Sequence, residues 1–284
     1  MNRDDNSNIY KTKYFKYKNK YLYLKQKGSS LEDSFPLIGF GSWYEKPEKS
    51  VIINSWKCAL QNGYKVFDFA AYYPSSNYIS DFNKLVLELK ITTDIFIIAK
   101  DLRPELFNLP NYKIIYTKHF GLFNFQEVID LNKQIKEGVI YKYGIGNIYE
   151  RDKKQLEKLI SFCNENNLEK PFLNEMEITL FSPQFDFINY LQSENIIPVG
   201  YFALKNPLLL NSELEKFQND NKISIHKTIL SYLQSRNITI LTTSTNCEHI
   251  KENLDTIRID PMLLKKINEG FNQKDIFLME GNPI

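Results

Sequence analysis

Hydrophobic residues follow two alternating patterns from residue 36 onward. Short, nearly continuous apolar runs predict buried β-strands, and longer segments with an apolar residue every three or four positions predict amphipathic helices. The first pattern predicts eight strands, at residues 36–41, 65–70, 95–100, 113–119, 142–147, 172–178, 196–201 and 238–244. Helical segments lie between most of these strands, at residues 50–63, 126–138, 150–167, 183–195 and 224–237.

The order of these elements predicts an α/β fold. Eight alternations of strand and helix within about 210 residues favour a closed (β/α)8 TIM barrel, in which outer helices follow parallel strands. The competing interpretation is an open, doubly wound sheet, because GFGSWY at residues 39–44 begins like a dinucleotide-binding fingerprint. That segment has no third glycine and opens no helix directly, so the barrel is favoured.

One repeat of the predicted barrel is incomplete. Only twelve residues (101–112) separate the third and fourth strands, and two of them are prolines. Because proline interrupts helix interiors, this span has room for one short helical turn at most. The prediction is therefore a barrel over residues 31–284 whose third outer helix is shortened or missing. Such a gap would expose one flank of the barrel.

Four polar side chains lie at or just after the ends of three consecutive predicted strands. Asp68 and Tyr73 belong to the second strand, Lys100 ends the third, and His119 ends the fourth. The carboxyl ends of barrel strands converge on one mouth, where catalytic residues are expected. Each residue alone is more typical of a surface, capping or core position. Together, at successive strand ends, they predict a functional site.

The chemistry of these four residues fits the reduction of a carbonyl group. A tyrosine with a pKa near 10 is a poor acid at neutral pH. A neighbouring lysine ammonium favours the phenolate and is expected to lower the pKa of Tyr73, while Asp68, buried in an apolar strand, needs Lys100 as its partner. His119 can hydrogen-bond the carbonyl oxygen that Tyr73 protonates while hydride is added to the carbon.

The sequence resembles the aldo-keto reductase family over about residues 36–255. The resemblance rests on motifs in the family's order, none of which is specific alone: GFGSW, VFDFAAYY, IFIIAK, IIYTKH, GIGN, NEME, VGYFAL and TSTNCEHIKENL. It implies an NAD(P)H-dependent enzyme that reduces a small-molecule aldehyde or ketone. It also implies that Tyr73 is the general acid, that Lys100 and Asp68 tune it, and that His119 orients the carbonyl.

The same resemblance implies residues that hold the cofactor and the substrate. Contacts to the nicotinamide are implied for Asn147, Glu175 and Tyr201. Contacts near the adenosine end are implied for Thr243, Ser244, His249, Glu252 and Asn253. Trp43 would line the substrate pocket together with His119.

Two departures from the family pattern concern the cofactor. Gly146 stands where the family has a serine, and Glu175 where it has a glutamine, so contacts to the nicotinamide carboxamide are altered. Thr243 and His249 stand where members that prefer NADPH carry a lysine and an arginine for the 2′-phosphate. The choice between NADPH and NADH therefore stays open.

An alternative function is that of a catalytically weak relative that binds nucleotide and has a regulatory or structural role.

Charge separates an N-terminal extension, residues 1–30, from the remainder. Eight Lys/Arg against two Asp give this extension a charge of +6, and since the whole chain is +2, the remainder carries −4. Tyrosines and a leucine recur every three or four residues among the lysines, which predicts a basic amphipathic helix. This helix would contact a partner, an anionic membrane or a nucleic acid; the alternative is a solvated tail that covers a little of the barrel.

Other features of the sequence bear on location and metal binding. The three cysteines are too few and too scattered to predict a disulfide framework, which suggests a reducing compartment. No apolar run approaches the roughly 18 residues of a membrane span, and the N-terminus lacks the apolar core of a signal peptide. A soluble, cytoplasmic protein is expected, and the Asn-, Ile- and Lys-rich composition suits a virus-encoded one. No Cys/His spacing predicts a metal site.

Overall fold

The computed structural model describes residues 35–45, 48–180, 182–204, 219–220, 222 and 224–256 of the 284-residue chain. The chain divides after Pro36 into two units, and only Phe35 and Pro36 of the first are among the described residues. The predicted basic helix and the boundary predicted between residues 30 and 31 lie outside them. Within the described part, no helix is both long and apolar enough to cross a membrane.

Eight parallel strands close into a barrel in which each pairs with its neighbours in sequence and β8 pairs with β1. This confirms the predicted fold. The strands are β1 Ile38–Gly41, β2 Val66–Ala70, β3 Ile95–Lys100, β4 Tyr112–Thr117, β5 Lys142–Gly146, β6 Leu173–Glu177, β7 Ile197–Tyr201 and β8 Thr239–Thr242.

The helices of the described segments lie between these strands, except for the last, which follows β8. They are α1 Lys49–Gln61, α2 Ile79–Glu88, α3 Phe125–Lys136, α4 Lys153–Glu165, α5 Phe185–Ser193, α6 Ile225–Ser235 and α7 Cys247–Glu252. The five predicted helices are confirmed within a few residues at each end. Helix α2 was missed, although its buried residues Ile79, Phe82, Leu85 and Val86 show helical spacing.

The core of the β2 region shows how the strand pattern positions a charged residue. Phe67 and Phe69 point outward from the barrel and pack edge-on or tilted against Phe82 of α2, with ring centroids 4.9 and 5.2 Å apart. Successive side chains of a strand point to opposite faces, so Asp68, between these two phenylalanines, points into the barrel. The outward apolar pair thereby fixes the inward direction of the carboxylate.

The connection between β3 and β4 has no α-helix, as predicted. Among residues 101–111, all of which are described, only Pro104–Leu106 form a single 3-10 turn. The expectation that this leaves a flank of the barrel exposed was wrong. The side chain of Phe107 is buried against Phe69 and Tyr112, with ring centroids 5.3 and 6.3 Å apart. The loop itself therefore covers the position of the missing helix.

A disulfide joins Cys58 of α1 to Cys247, the first residue of α7. The two cysteines are 189 residues apart in sequence, with Cα atoms 5.8 Å apart. This corrects the interpretation of the cysteines as unpaired, which rested on sequence spacing. Spacing along the chain cannot predict a pair that only barrel closure brings together. Cys163 is a free, buried thiol.

Candidate active site

Lys100 lies at the centre of the candidate site and donates to three side chains. Its ammonium nitrogen is 3.0 and 3.1 Å from the two carboxylate oxygens of Asp68 and 2.7 Å from the hydroxyl of Tyr73. It also donates to Oε1 of Glu175. Lys100, Asp68 and Glu175 are each about 2% exposed. An ammonium has three N–H groups, and here each has an acceptor.

The turn after β2 directs Tyr73 toward this lysine. The amide of Tyr73 donates to the carbonyl of Ala70 at 3.0 Å, and the amide of Ala71 donates to the carbonyl of Lys100 at 2.9 Å. Because Pro74 follows, Tyr73 takes an extended backbone, with φ −81° and ψ 132°. The predicted arrangement of Asp68, Lys100 and Tyr73 is thus present, with Lys100 as the partner of Asp68.

Glu175 forms a contact that the sequence interpretation did not predict. The resemblance implies that it contacts the nicotinamide, but its Oε1 accepts from Lys100. It projects from the middle of β6, on the other side of the barrel from β2 and β3. The sequence signal available was the segment NEME, which carries two glutamates within a completely buried strand. Which barrel neighbour such a carboxylate meets depends on strand register, which the sequence does not state.

Burial and mutual proximity shift the pKa values of the ionisable groups. Burial raises the pKa of Glu175 to about 8; the Asp68 carboxylate adds to the rise and Lys100 opposes it. Burial also raises the pKa of Asp68, again against Lys100. Burial works against the Lys100 ammonium, yet Asp68 and Glu175 outweigh it and hold the pKa of Lys100 well above its ordinary value.

The predicted decrease in the pKa of Tyr73 was wrong. Burial raises this pKa, Asp68 raises it further, and Lys100 opposes both, while Glu175 adds to the rise. Lys100 acts in the predicted direction, but it faces two carboxyl groups instead of one. The phenol is therefore protonated near neutral pH.

His119 follows β4 and lies beside Tyr73, with ring centroids 5.8 Å apart. Its ring stacks on Phe120 at 4.5 Å. Burial, helped by the charge of Lys100, lowers the pKa of His119 to about 4, so this side chain is neutral near pH 7. Its Nδ1 atom is buried and has no hydrogen-bond partner among the described residues. Trp43 lies on the other side of Tyr73, with ring centroids 5.3 Å apart.

Asn147 connects the ends of three strands. Its Nδ2 donates to the carbonyl of His119 at 2.9 Å, and its Oδ1 accepts from the hydroxyls of Tyr201 at 2.5 Å and Tyr149 at 3.2 Å. The substitution of the family's serine by Gly146 has a steric reason. A Cβ atom there would lie 2.5 Å from the carbonyl oxygen of His119.

The residues implied for the adenosine end lie after β8 and on α7. The hydroxyl of Thr243 donates to the carbonyl of Gly41 at 2.9 Å, and Ser244 is half-buried. His249 and Glu252 are exposed on α7, and Asn253 at its C-terminal end is half-buried. Within the described residues, no group of three His, Cys, Asp or Glu could hold a metal ion.

Comparison with known proteins decides the family. The model of the Aldo/keto reductase family matches residues 111–269, more than half of the chain. The chain belongs to the aldo/keto reductase family. It is therefore an NAD(P)H-dependent oxidoreductase.

Similar curated proteins extend this assignment over the barrel. Aldo-keto reductase family 1 member C21 from Rattus norvegicus is 26% identical, over 87% of this chain and 92% of the rat protein. D-galacturonate reductase from Hypocrea jecorina is 24% identical, over 84% of this chain and 87% of that protein.

Solved structures share the fold. The aldose reductase from Schistosoma japonicum has a TM-score of 0.69 and 21% identity, over 87% of this chain and 92% of that one. MGS-M4, an aldo-keto reductase from a deep-sea metagenome library of the Medee basin, has a TM-score of 0.69 and 22% identity, over 88% and 97%.

Proposed function

We propose that this aldo-keto reductase reduces the carbonyl group of a small-molecule aldehyde or ketone to an alcohol, with Tyr73 as the proton donor. The observation that carries the proposal is the 2.7 Å contact between the Tyr73 hydroxyl and the Lys100 ammonium, which is itself paired with Asp68. The ring of His119, with its centroid 5.8 Å from that of Tyr73, supports the same proposal.

The side chains around this mouth fit a nicotinamide dinucleotide in part. Tyr201 is half-exposed at the end of β7, and Oε2 of Glu175 is buried without a hydrogen-bond partner among the described residues. Asn147, by contrast, uses both ends of its amide for internal hydrogen bonds. The bound dinucleotide would supply hydride to the carbonyl carbon. Tyr201 would hold its nicotinamide end. Asn147 would do so only by exchanging an internal bond, and Glu175 only by turning its buried carboxyl group away from Lys100.

The proton side of the reaction follows from the cluster. Tyr73 retains its proton because burial disfavours the phenolate, and it donates that proton when negative charge develops on the carbonyl oxygen. The phenolate that remains is stabilised by the Lys100 ammonium. His119 is neutral and can donate a hydrogen bond to the same oxygen without adding a second positive charge.

The rim of the site is aromatic. Trp43 packs against Tyr73, and Tyr72 and Phe120 both lie beside His119, with ring centroids 6.0 and 4.5 Å from it. All three rim residues are exposed. Such a surface favours a carbonyl compound with an apolar portion next to the reacting group.

The preference between the two dinucleotides depends on the residues after β8. The Thr243 hydroxyl already donates its proton to the carbonyl of Gly41, so it can only accept a further hydrogen bond. A phosphate likewise accepts, and Thr243 therefore contributes little to the 2′-phosphate of NADPH. The Ser244 hydroxyl likewise donates to the carbonyl of Asn246, at 3.4 Å. His249 remains as a donor, without the bidentate guanidinium that recognises phosphate most strongly.

The test is the variant Tyr73→Phe. We expect at least a 100-fold lower turnover of an activated aldehyde, as for loss of a general acid. Cofactor affinity, measured by quenching of tryptophan fluorescence, should change less than about threefold, because the hydroxyl contacts Lys100. Tyr73 directly precedes a 3-10 turn, Pro74–Tyr78. Tyr78→Phe, at the other end of this turn, is the matched control and should keep wild-type turnover. Retained activity in Tyr73→Phe would remove Tyr73 from the mechanism. A wild-type protein that binds dinucleotide but reduces no aldehyde would favour the nucleotide-binding alternative.

A further inference from the structure

Two carboxyl groups meet at the single ammonium of Lys100. Asp68 comes from β2 and Glu175 from β6, and both are almost completely buried. Both contact the same Lys100 nitrogen, so the two carboxyl groups lie close to each other. One cation cannot compensate two buried anions, and an uncompensated buried charge is strongly unfavourable. The cluster with both carboxylates ionised carries a net charge of −1.

Each carboxyl group has one oxygen without a donor. Oε2 of Glu175 and Oδ1 of Asp68 are buried and have no hydrogen-bond partner among the described residues, although Asp68 Oδ1 is 3.0 Å from the Lys100 nitrogen as an ion pair. Two carboxylates can only accept hydrogen bonds. A proton on one of them creates the donor that the other lacks and removes the excess charge.

We propose that Asp68 and Glu175 share one proton beside Lys100, and that Tyr73 donates its own proton efficiently only while this shared proton is in place. The second half rests on the proposed reductase function; the first half does not. Burial and the neighbouring Asp68 raise the pKa of Glu175 to about 8, which agrees with a proton retained at neutral pH.

The groups that face the pair support this assignment. Opposite Asp68 on β1 lies Gly41, and opposite Glu175 on β5 lies Gly146, and neither brings a charge. The other titratable groups around the cluster are Tyr73 after β2, Lys100 on β3 followed by Asp101, Lys118 and His119 after β4, Glu177 on β6 and Tyr201 on β7.

Of these groups, Lys100 is the only cation in direct contact with the pair among the described residues. His119 is neutral near pH 7 because burial lowers its pKa to about 4. The side chain of Lys118 pairs with Glu127 at 3.3 Å. No second cation is therefore available to compensate the second carboxylate, and a proton must do so.

The shared proton affects the donor Tyr73 through charge. Each of the two carboxylates raises the pKa of Tyr73, and Lys100 opposes them. In the proposed step the Tyr73 O–H bond breaks, the proton passes to the carbonyl oxygen, and the phenolate electron pair stays beside Lys100. The shared proton remains on the pair throughout. If it is lost, the phenolate forms beside two anions and one cation, and transfer is disfavoured.

The first test needs neither cofactor nor substrate. Glu175→Gln is nearly isosteric with the neutral acid and cannot ionise, and Glu157→Gln, at an exposed position of α4, is the matched control. A carboxyl group with a raised pKa stabilises the folded state fully below its unfolded value, ordinarily 4.5 for glutamate, and loses that contribution as pH rises through about 8. The urea midpoint of the wild type should therefore fall relative to Glu175→Gln between pH 5 and pH 8, while Glu157→Gln follows the wild type.

Infrared spectroscopy gives an independent readout of the same proton. The C=O stretch of a protonated carboxylic acid should be present in the wild type at pH 6, lost by pH 9.5, and absent from Glu175→Gln at both. Parallel stability curves for wild type and Glu175→Gln, or no protonated carboxyl band at pH 6, would overturn the shared proton.

The second test concerns turnover, compared within each protein so that any effect of Glu175→Gln on cofactor binding cancels. From pH 7 to pH 9.5, kcat/KM of the wild type should fall about tenfold or more, since a group with a pKa near 8 is then almost entirely deprotonated. In Glu175→Gln the fall should be less than about threefold. Equal falls would overturn the link to Tyr73. A titration seen by stability and infrared in a protein that reduces no aldehyde would support the shared proton and contradict the proposed function.

Discussion

Among single substitutions in the cluster, removal of the Lys100 charge should lower the free energy of unfolding the most. In Lys100→Met the apolar stem is kept and the ammonium is lost. Asp68 and Glu175 then remain buried close to each other, and no other cation of the described residues is in contact with them. Tyr73 loses its hydrogen-bond donor at 2.7 Å as well.

The magnitude follows from the cost of breaking a buried ion pair. Removing one partner of such a pair costs about 3–5 kcal/mol, because the other charge stays buried without compensation. The two carboxyl groups can reduce this cost by taking up protons. Their pKa values are already raised above the ordinary 3.8 and 4.5, and loss of Lys100 raises them further. Each pH unit over which the folded protein holds one more proton than the unfolded chain changes stability by about 1.4 kcal/mol.

The assay is urea unfolding at pH 5 and pH 8.5, followed by tryptophan fluorescence. Lys100→Met should lose about 3–5 kcal/mol at pH 8.5 and clearly less at pH 5, where protons bind more readily to carboxyl groups whose pKa values are raised. Lys118→Met is the control, since Lys118 forms a partly exposed pair with Glu127 at 3.3 Å and such pairs contribute about 0–1 kcal/mol. Adding Glu175→Gln to Lys100→Met should recover part of the loss at pH 8.5. A variant that unfolds like the wild type at pH 8.5 would refute the buried cluster.

Two further predictions concern α7 and the cofactor. Cys58→Ser should lower the free energy of unfolding by about 2–4 kcal/mol, and dithiothreitol should bring the wild type to the same stability; no effect of dithiothreitol would contradict the disulfide. Because His249 stands where an arginine would bind the 2′-phosphate, the affinity for NADPH should exceed that for NADH by less than about 30-fold, or about 2 kcal/mol. His249→Ala should reduce this ratio, whereas His226→Ala, on α6, should not. A several-hundred-fold preference that survives His249→Ala would assign the phosphate to another basic residue, such as Lys251.

The fold was predictable because its signals are local. Buried parallel strands are apolar on both faces, so each of the eight strands is visible in the sequence without knowledge of its neighbours. The missing third helix was equally visible, because the distance between two strands and the positions of two prolines are properties of the chain. That the loop between β3 and β4 covers this position was not predictable, since the burial of Phe107 against Phe69 depends on packing.

The site was predictable only as far as consecutive strands determine it. Asp68, Tyr73 and Lys100 belong to neighbouring strands β2 and β3, and the order of strands alone brings them together. Glu175 reaches Lys100 from β6, and the disulfide partners lie on helices far apart in sequence. These contacts depend on how the closed barrel sets distant strands against one another. The direction of the pKa shift of Tyr73 was missed because burial, its largest cause, depends on packing that the sequence does not state.

The central claim is that this protein reduces a carbonyl group with hydride from a nicotinamide dinucleotide. Following the hydride to the carbonyl carbon tests it most directly. The wild type would be incubated with an activated aromatic aldehyde and with NADPH that carries deuterium at C4 of the nicotinamide, in separate samples for each of the two faces. The alcohol would then be analysed by mass spectrometry. The account predicts one deuterium on the former carbonyl carbon with one of the two labelled faces, and at least 100-fold less labelled alcohol from Tyr73→Phe. An alcohol without deuterium in both samples, or no alcohol from a protein that binds NADPH, would contradict it.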